Sequence, residues 1–583
     1  MIRGWIHSFA AFARRLSDST HGAVALIGAL SLTTIVGMGA FAVEATQGYA
    51  VDTTNQRVAD MAALAGALAY NVNSSTNEMT ATAKAVVVAQ GIAASAATVA
   101  LVTDASSSRQ LVEVTITTAV PLALGRVFTA ALSYDVTAVG AATTTTIATT
   151  TPPCIAALSS SPAYAITMTG NSSVTAAGCA VDTNAGVSVA GSASIAAKQV
   201  DAGKTVSKSG GASITTSPTA NNVFASKANA ASDWMSGDAA LKLLLCQVNK
   251  LTGTSDSDYA DGNTLCTSPL VTPPAAGASD WDLNYNPAVN VAAYRTSNNT
   301  YVIPAGTYSI RTLTLQGGIT ATFQGPVNLT IGSISMGGGT VLHVGSGNIG
   351  INGKIDLSGG ALADFDVGVG NTVTIGSSGG VAINIGGGSK LCFTANCGTP
   401  TAAAGTFSAG GNITSNGGST IVFPKAATHV IAGNLDLSGS STFGSGSYVI
   451  KGNFTNNTGG TMTGVDVSFG LGGTFALSGG TSLNLAAPGA ASSYGIPGLL
   501  LATKSTADTS IGGGSSNQYA GLIYAPKSDM SISGGASMSA SGSACMMLIV
   551  STLSMTGSGA TSTGTCSALS GATGPVPSVS LFR

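Results

Sequence analysis

A chain of 583 residues with 77 glycines, 8% charged and 5% aromatic residues departs far from ordinary globular composition. Its apolar content is mostly alanine and valine, so a mean hydropathy of +0.38 does not imply several membrane spans. A formal net charge of −2, with no basic patch interleaved with aromatics, excludes nucleic acid as a partner.

The chain opens on a leader, residues 1–21, in which Trp5, Phe9, Phe12 and Leu16 recur at three- and four-residue spacing, the pattern of an interfacial amphipathic helix. Residues 22–43 (GAVALIGALSLTTIVGMGAFAV) carry no charge. At ~1.5 Å per residue they cross a ~30 Å hydrocarbon layer, which predicts one transmembrane helix. Arg3, Arg14 and Arg15 precede it and Glu44 follows it. The positive-inside rule then places the N-terminus in the cytoplasm and the bulk of the chain in the periplasm or outside the cell, as a single-pass protein of the inner membrane. Ala40-Phe41-Ala42 leaves a cleaved signal peptide as the competing reading. A pilin-type cut after Gly22 is disfavoured by Ile27, where that class places a glutamate.

Residues 44–150 read as a small α+β module. The helix continues through NQRVADMAALAGALAY (55–70), with Val58, Met61, Ala62, Ala65 and Leu68 on one stripe. Ser75 and Glu78 form a capping box that starts a second helix running to about Ala94. Strands are predicted over 98–103, 111–119 and 133–139. Three stretches, HGAVALIGALSLTTIVGMGAFAVEATQGYAV (21–51), the NQRVADMAALAGA run and VEVTITTAVPLALGRVF (112–128), resemble the TadE/TadG-like proteins of the Flp (Tad) pilus-assembly system. The resemblance covers about the first quarter of the chain and implies a membrane-anchored, non-enzymatic accessory protein of a bacterial surface apparatus, with other Tad pilus components as partners. Asp104-Ala105-Ser106-Ser107-Ser108 spells a metal-site DxSxS, but it sits between two short strands and reads as a hairpin turn.

Internal repeats organise the remainder. An apolar-x-apolar triplet followed by a glycine or serine turn appears at Ile166, at Val187, and in degenerate form near Val206. It returns at Leu313, Ile334, Ile355 and Val373, then at Ile413, Leu435, Phe454 and Phe475, and closes at Met530 and Leu553. A period near 20 with alternating strands predicts a parallel β-helix of about 13 coils, on the order of 60 Å long at ~4.8 Å per coil. Leu313 and Leu315 fall on its inner face, Thr312 and Thr314 on its outer. The first coils occupy 151–220, an inserted segment with a helix over 239–250 occupies 221–304, and the main β-helix occupies 305–583. The phrases GTYSIRTLTLQGG and YAGLIYAPKSDMSISGG look like the β-rich ectodomains of some TadG-like proteins.

All eight cysteines follow the apolar segment, in an exported and oxidising setting. Pairing sequence neighbours predicts Cys154–Cys179, Cys246–Cys266, Cys392–Cys397 and Cys545–Cys566. For chemistry the residues offer little: no Glu follows Glu113, and only Asp364 and Asp366 lie close together among the later aspartates. As i and i+2 on a strand they would share a face, the pairing a glycosidase requires, or they are solvated turn residues. His343 and His429 read as isolated, and Asp256, Asp258 and Asp261 as a calcium-like loop whose spacing misses the D-x-D-x-D-G pattern by one residue. No catalytic, cofactor or metal residue is assigned. Outward Ser and Thr rows are expected to solubilise the rod or to meet a surface or glycan ligand. The reading is a membrane-anchored pilus-assembly or cell-surface component, with a stand-alone adhesin and a carbohydrate-active β-helix enzyme as alternatives.

Overall fold

The computed structural model describes residues 22–73, 75–103, 110–122, 126, 129–143, 153–217, 222–227, 230–254, 257–259, 266–401, 403–480, 482–514, 516–540, 545–564, 566, 569 and 581–582. The leader with its arginines, the 104–108 turn, and Asp256 and Asp261 lie outside the described residues. The chain forms two compact units, one of Met1–Thr150 with Pro575–Arg583, the other of Thr151–Gly574.

In the first unit one helix, α1, runs unbroken over Gly22–Asn73, about 78 Å at ~1.5 Å per residue. Its two halves differ. Ile27, Leu30, Leu32, Ile35, Val36, Met38, Phe41 and Val43 all stand exposed, around about two thirds of the helix. Within α1 the stretch Ile27–Tyr70 is long and apolar enough to cross a membrane. The second half buries Val58, Ala59, Ala62, Ala63 and Ala67. This is not the predicted stripe, because Met61 and Leu68 are exposed. Small side chains won the buried face, since only they let the helix backbone approach both α2 (Thr76–Ala89) and the sheet behind it. Ser75 caps α2 as expected, accepting the Glu78 N–H at 3.3 Å. Strands β1 (Ala97–Thr103), β2 (Gln110–Pro121) and β3 (Ser133–Thr143) pair antiparallel in chain order. A fourth strand, not anticipated from the sequence, is Leu581–Phe582, which pairs antiparallel with β3.

The second unit is a parallel β-solenoid built on a 39-stranded sheet. Neighbouring coils stack in register, so that Leu313 meets Ile334 and then Ile355, and all three are buried. Paired glycines such as Gly359 and Gly360, at φ +61° and +77°, turn the corners in a conformation L side chains rarely adopt. Nine of the chain's 15 phenylalanines are spent in this narrow core. Phe365, Phe393, Phe407, Phe423, Phe443, Phe469, Phe454 and Phe475 form a column with successive ring centroids 5.1 to 5.7 Å apart. All four expected disulfides are present, with Cα separations of 4.7 to 5.9 Å.

The order of stacking differs from the order of the sequence. Pro153–Ala157 does not begin the rod; it lies between Met546–Met555 and Ser173–Thr183, in parallel register with both. Tyr164–Met168 likewise stacks on Met546–Met555, and Ala560–Ser562 on Ser173–Thr183. The first coils in sequence therefore extend the C-terminal end of the rod, while its other end starts at Asp280–Leu283. The chain between Phe224 and Asp280 must return from one end to the other, and its described residues, 225–227, 230–254, 257–259 and 266–279, lie as a strap along one outer face. Going back, Ala231 donates to Asn184 Oδ1 (2.9 Å), Asp233 accepts from the Tyr524 hydroxyl (2.8 Å), and α3 (Ala239–Thr252) presses Leu244 toward Gly470. Val271 then exchanges two 3.1 Å bonds with the Ser408 hydroxyl, and Gly277 reaches Ser309.

The strap covers a second apolar row. Val430, Val449, Gly470, Ala502, Tyr524, Ile549 and Ala156 follow one another in register on the outside of the sheet. Leu241, Leu244, Leu245 and Val248 of α3 pack into one buried cluster with members of this row. A Cβ at Gly470 would stand 2.7 Å from Leu244 Cγ, so the helix sits where it does because that rung has no side chain.

Candidate functional site

On a different face of the rod, Thr322, His343 and Asp364 occupy one register position on three successive coils. Asp364 is the third residue of the strand Leu362–Phe365, and its side chain is only 6% exposed, whereas that of His343 is 37% exposed. His343 Nδ1 lies 2.9 Å from Asp364 Oδ2. Burial pushes the Asp364 carboxyl above the usual range, the hydrogen bond from His343 and its charge oppose that rise, and Asp366 adds to it. The hydrogen-bonding pattern assigns the Nδ1–H tautomer when Asp364 is ionised, leaving Nε2 as the second ring nitrogen.

These groups line an open groove of about 440 Å³. Asp366, two residues beyond Asp364, lines it too, together with Thr322, Gln324 and Asn396. Its floor is backbone: a Cβ at Gly345 would come within 2.4 Å of Gly325 N, so the two coils close on each other there only without side chains. Its rim is the short loop shut by Cys392–Cys397, in which Asn396 is held at φ 52° and ψ 31°. Asparagine is among the few non-glycine residues that adopt this left-handed region readily, which suits it to the tight loop the disulfide closes.

The other candidates from the sequence do not converge on this groove. His343 is not isolated as expected: Asp364 lies 21 residues away, one coil, and stacking brings the two together. His429 faces inward, fully buried, its ring parallel to that of Tyr448 with centroids 4.0 Å apart, and Nε2 2.7 Å from the Pro424 carbonyl oxygen. Burial holds its pKa down to about 4. Asp258 pairs with Lys527 at 2.6 Å, and among the described residues no group of three or more His, Cys, Asp or Glu side chains is placed to hold a metal ion.

A second polar cluster escaped the sequence reading. Asp182 and Asp201 stack in register on adjacent coils, both buried, with Lys227 of the strap paired to Asp201. Burial, and then Asp201 beside it, push the Asp182 carboxyl up to about 8, with Lys227 opposing. The repeat interval of about 20 residues between Asp182 and Asp201 was the available signal.

No family model, no curated protein and no solved structure matches this chain.

Proposed function

We propose that this chain is a membrane-anchored component of a bacterial cell envelope, acting in pilus assembly or at the cell surface through the Tad (Flp) apparatus, with the solenoid as a projecting contact surface. The observation that carries the reading is the division of α1: its first half is apolar and bare, and its second half is packed into a folded module. A helix built this way is stable only where something apolar surrounds the bare half, either a lipid bilayer or the helices of an assembly. The N-terminus is then cytoplasmic and the remainder non-cytoplasmic, in keeping with the arginines before the helix and with four disulfides after it. The mechanism is mechanical rather than catalytic: the helix holds the chain, and the rod meets partners.

Fractionation with N-terminal sequencing of the mature protein tests this. A membrane-bound chain that begins at Met1 or Ile2, and whose rod is cut by protease added from the non-cytoplasmic side, is expected. A soluble chain beginning near Val43 would replace the anchor with ordinary secretion. Deleting the gene in a piliated host is expected to abolish Tad pili; intact pili would favour a stand-alone adhesin.

A further inference from the structure

We propose that the groove at His343 is a binding site for an uncharged glycan, recognised through its hydroxyl groups and selected against acidic sugars. This gives the contact surface proposed above a ligand class and rests on that reading.

Three features of the groove point to a ligand. Its floor is kept free of side chains by Gly325 and Gly345, so the space is part of the stacking and not a gap between mobile side chains. Asp364 takes the Nδ1 side of His343 and fixes the ring plane, as second-layer carboxylates do for functional imidazoles. The loop closed by Cys392–Cys397 places Asn396 at the rim. The volume, about 440 Å³, falls within the usual range of ~300–1,000 Å³ for small-molecule sites.

The chemistry of the lining selects the class. With Nδ1 turned to Asp364, Nε2 is the ring nitrogen of His343 left to meet a ligand, and the Asp366 carboxylate is an acceptor only. The side-chain amides of Gln324 and Asn396 each bring a carbonyl acceptor and an NH2 donor, and the Thr322 hydroxyl serves either role. A surface of fixed acceptors with a few adaptable donors matches a molecule rich in hydroxyls, each of which donates one bond and accepts others. With Asp364 turned to His343 and no Lys or Arg lining the groove, the Asp366 carboxylate repels uronates and other anionic sugars.

Titration calorimetry on the full chain in detergent micelles tests this, with maltotetraose, chitotetraose and tetragalacturonate as probes. At least one neutral tetramer is expected to bind ten times or more tighter than tetragalacturonate. His343→Ala and Asp366→Ala are each expected to weaken it tenfold or more, and His343→Gln, which keeps most of the ring's volume, should weaken it as well. Ser537→Ala, on the same face but coils away, should leave it unchanged. An unaltered thermal midpoint in the His343→Gln protein separates loss of the site from loss of fold. The proposal is overturned if neither neutral tetramer binds at millimolar concentration, if tetragalacturonate binds as well as they do, or if the groove variants bind normally. Release of shortened sugars by the wild type and not by His343→Gln would replace binding with catalysis. Binding in micelles is independent of where the chain resides, so a failed fractionation result and a failed binding result are distinguishable.

Discussion

The rod has two apolar layers, one inside the coils and one outside them beneath the strap, and they leave different marks in the sequence. Strands with one face in the core and the other toward solvent alternate, as in Thr320–Phe323 and Val341–Val344, where every second residue is buried. Strands that also lie under the strap or its helix are buried without interruption: Leu499–Thr503 and Val467–Leu471 are buried at all five positions. Continuous burial is expected of a parallel strand covered on both faces. Runs such as GLLLAT and MMLIVS thus announce that something lies over the rod, while alternating runs such as TATF announce that nothing does.

The largest effect should come from cutting the chain before Cys545. This removes Met546–Met555, on which Pro153–Ala157 and Tyr164–Met168 stack, and it also removes the Leu581–Phe582 strand from the sheet of the first unit. Hydrogen exchange over 153–202 should then lose its protection, with new protease cuts in the same region. Native protection in the truncated chain would mean that the first coils fold independently, contrary to the stacking order.

A smaller change, Phe469→Ala in the aromatic column, is expected to destabilise by about 3–5 kcal/mol in urea unfolding, since a buried ring leaves a cavity its stacked neighbours cannot fill. The interior should also be sensitive to acid through His429. Its folded pKa of about 4 lies below the ordinary 6.5, so the unfolded chain binds the proton more readily. The contribution is therefore complete above pH 6.5 and is lost as pH falls from 6.5 through 4, about 3 kcal/mol in all. Stability curves at pH 7 and pH 4.5 should converge for His429→Phe relative to wild type; an equal acid loss in both would assign the effect to other groups.

Under the strap the expected change is smallest. Tyr524→Phe removes the hydrogen bond to Asp233 while keeping the ring, at a cost of about 1 kcal/mol. It should show first as protease cleavage within 225–279 and only weakly in global unfolding. A global loss as large as that of Phe469→Ala would mean that strap and interior unfold as one unit.

Much of this architecture was legible because it depends on local rules. The apolar segment, the Ser75 cap, the alternation of Leu313 and Leu315 with threonines, and the four couples of neighbouring cysteines each involve residues close in sequence or a fixed period. The candidate groove was half legible: Asp364 and Asp366 stood out as a pair, but His343 looked solitary, since its partner lies one coil away and coil length varies from copy to copy.

Length, period and polarity by themselves determined that this chain has a long apolar helix, a small module after it and a β-solenoid closed by local disulfides. The tertiary structure alone decided which coil sits on which, because repeats with the same inward pattern offer similar surfaces to any neighbour. It seated residues 153–216 on the C-terminal coils, and it turned residues 225–279 into a strap. That choice depends on contacts between residues hundreds of positions apart, such as Asp233 with Tyr524, which no local pattern encodes.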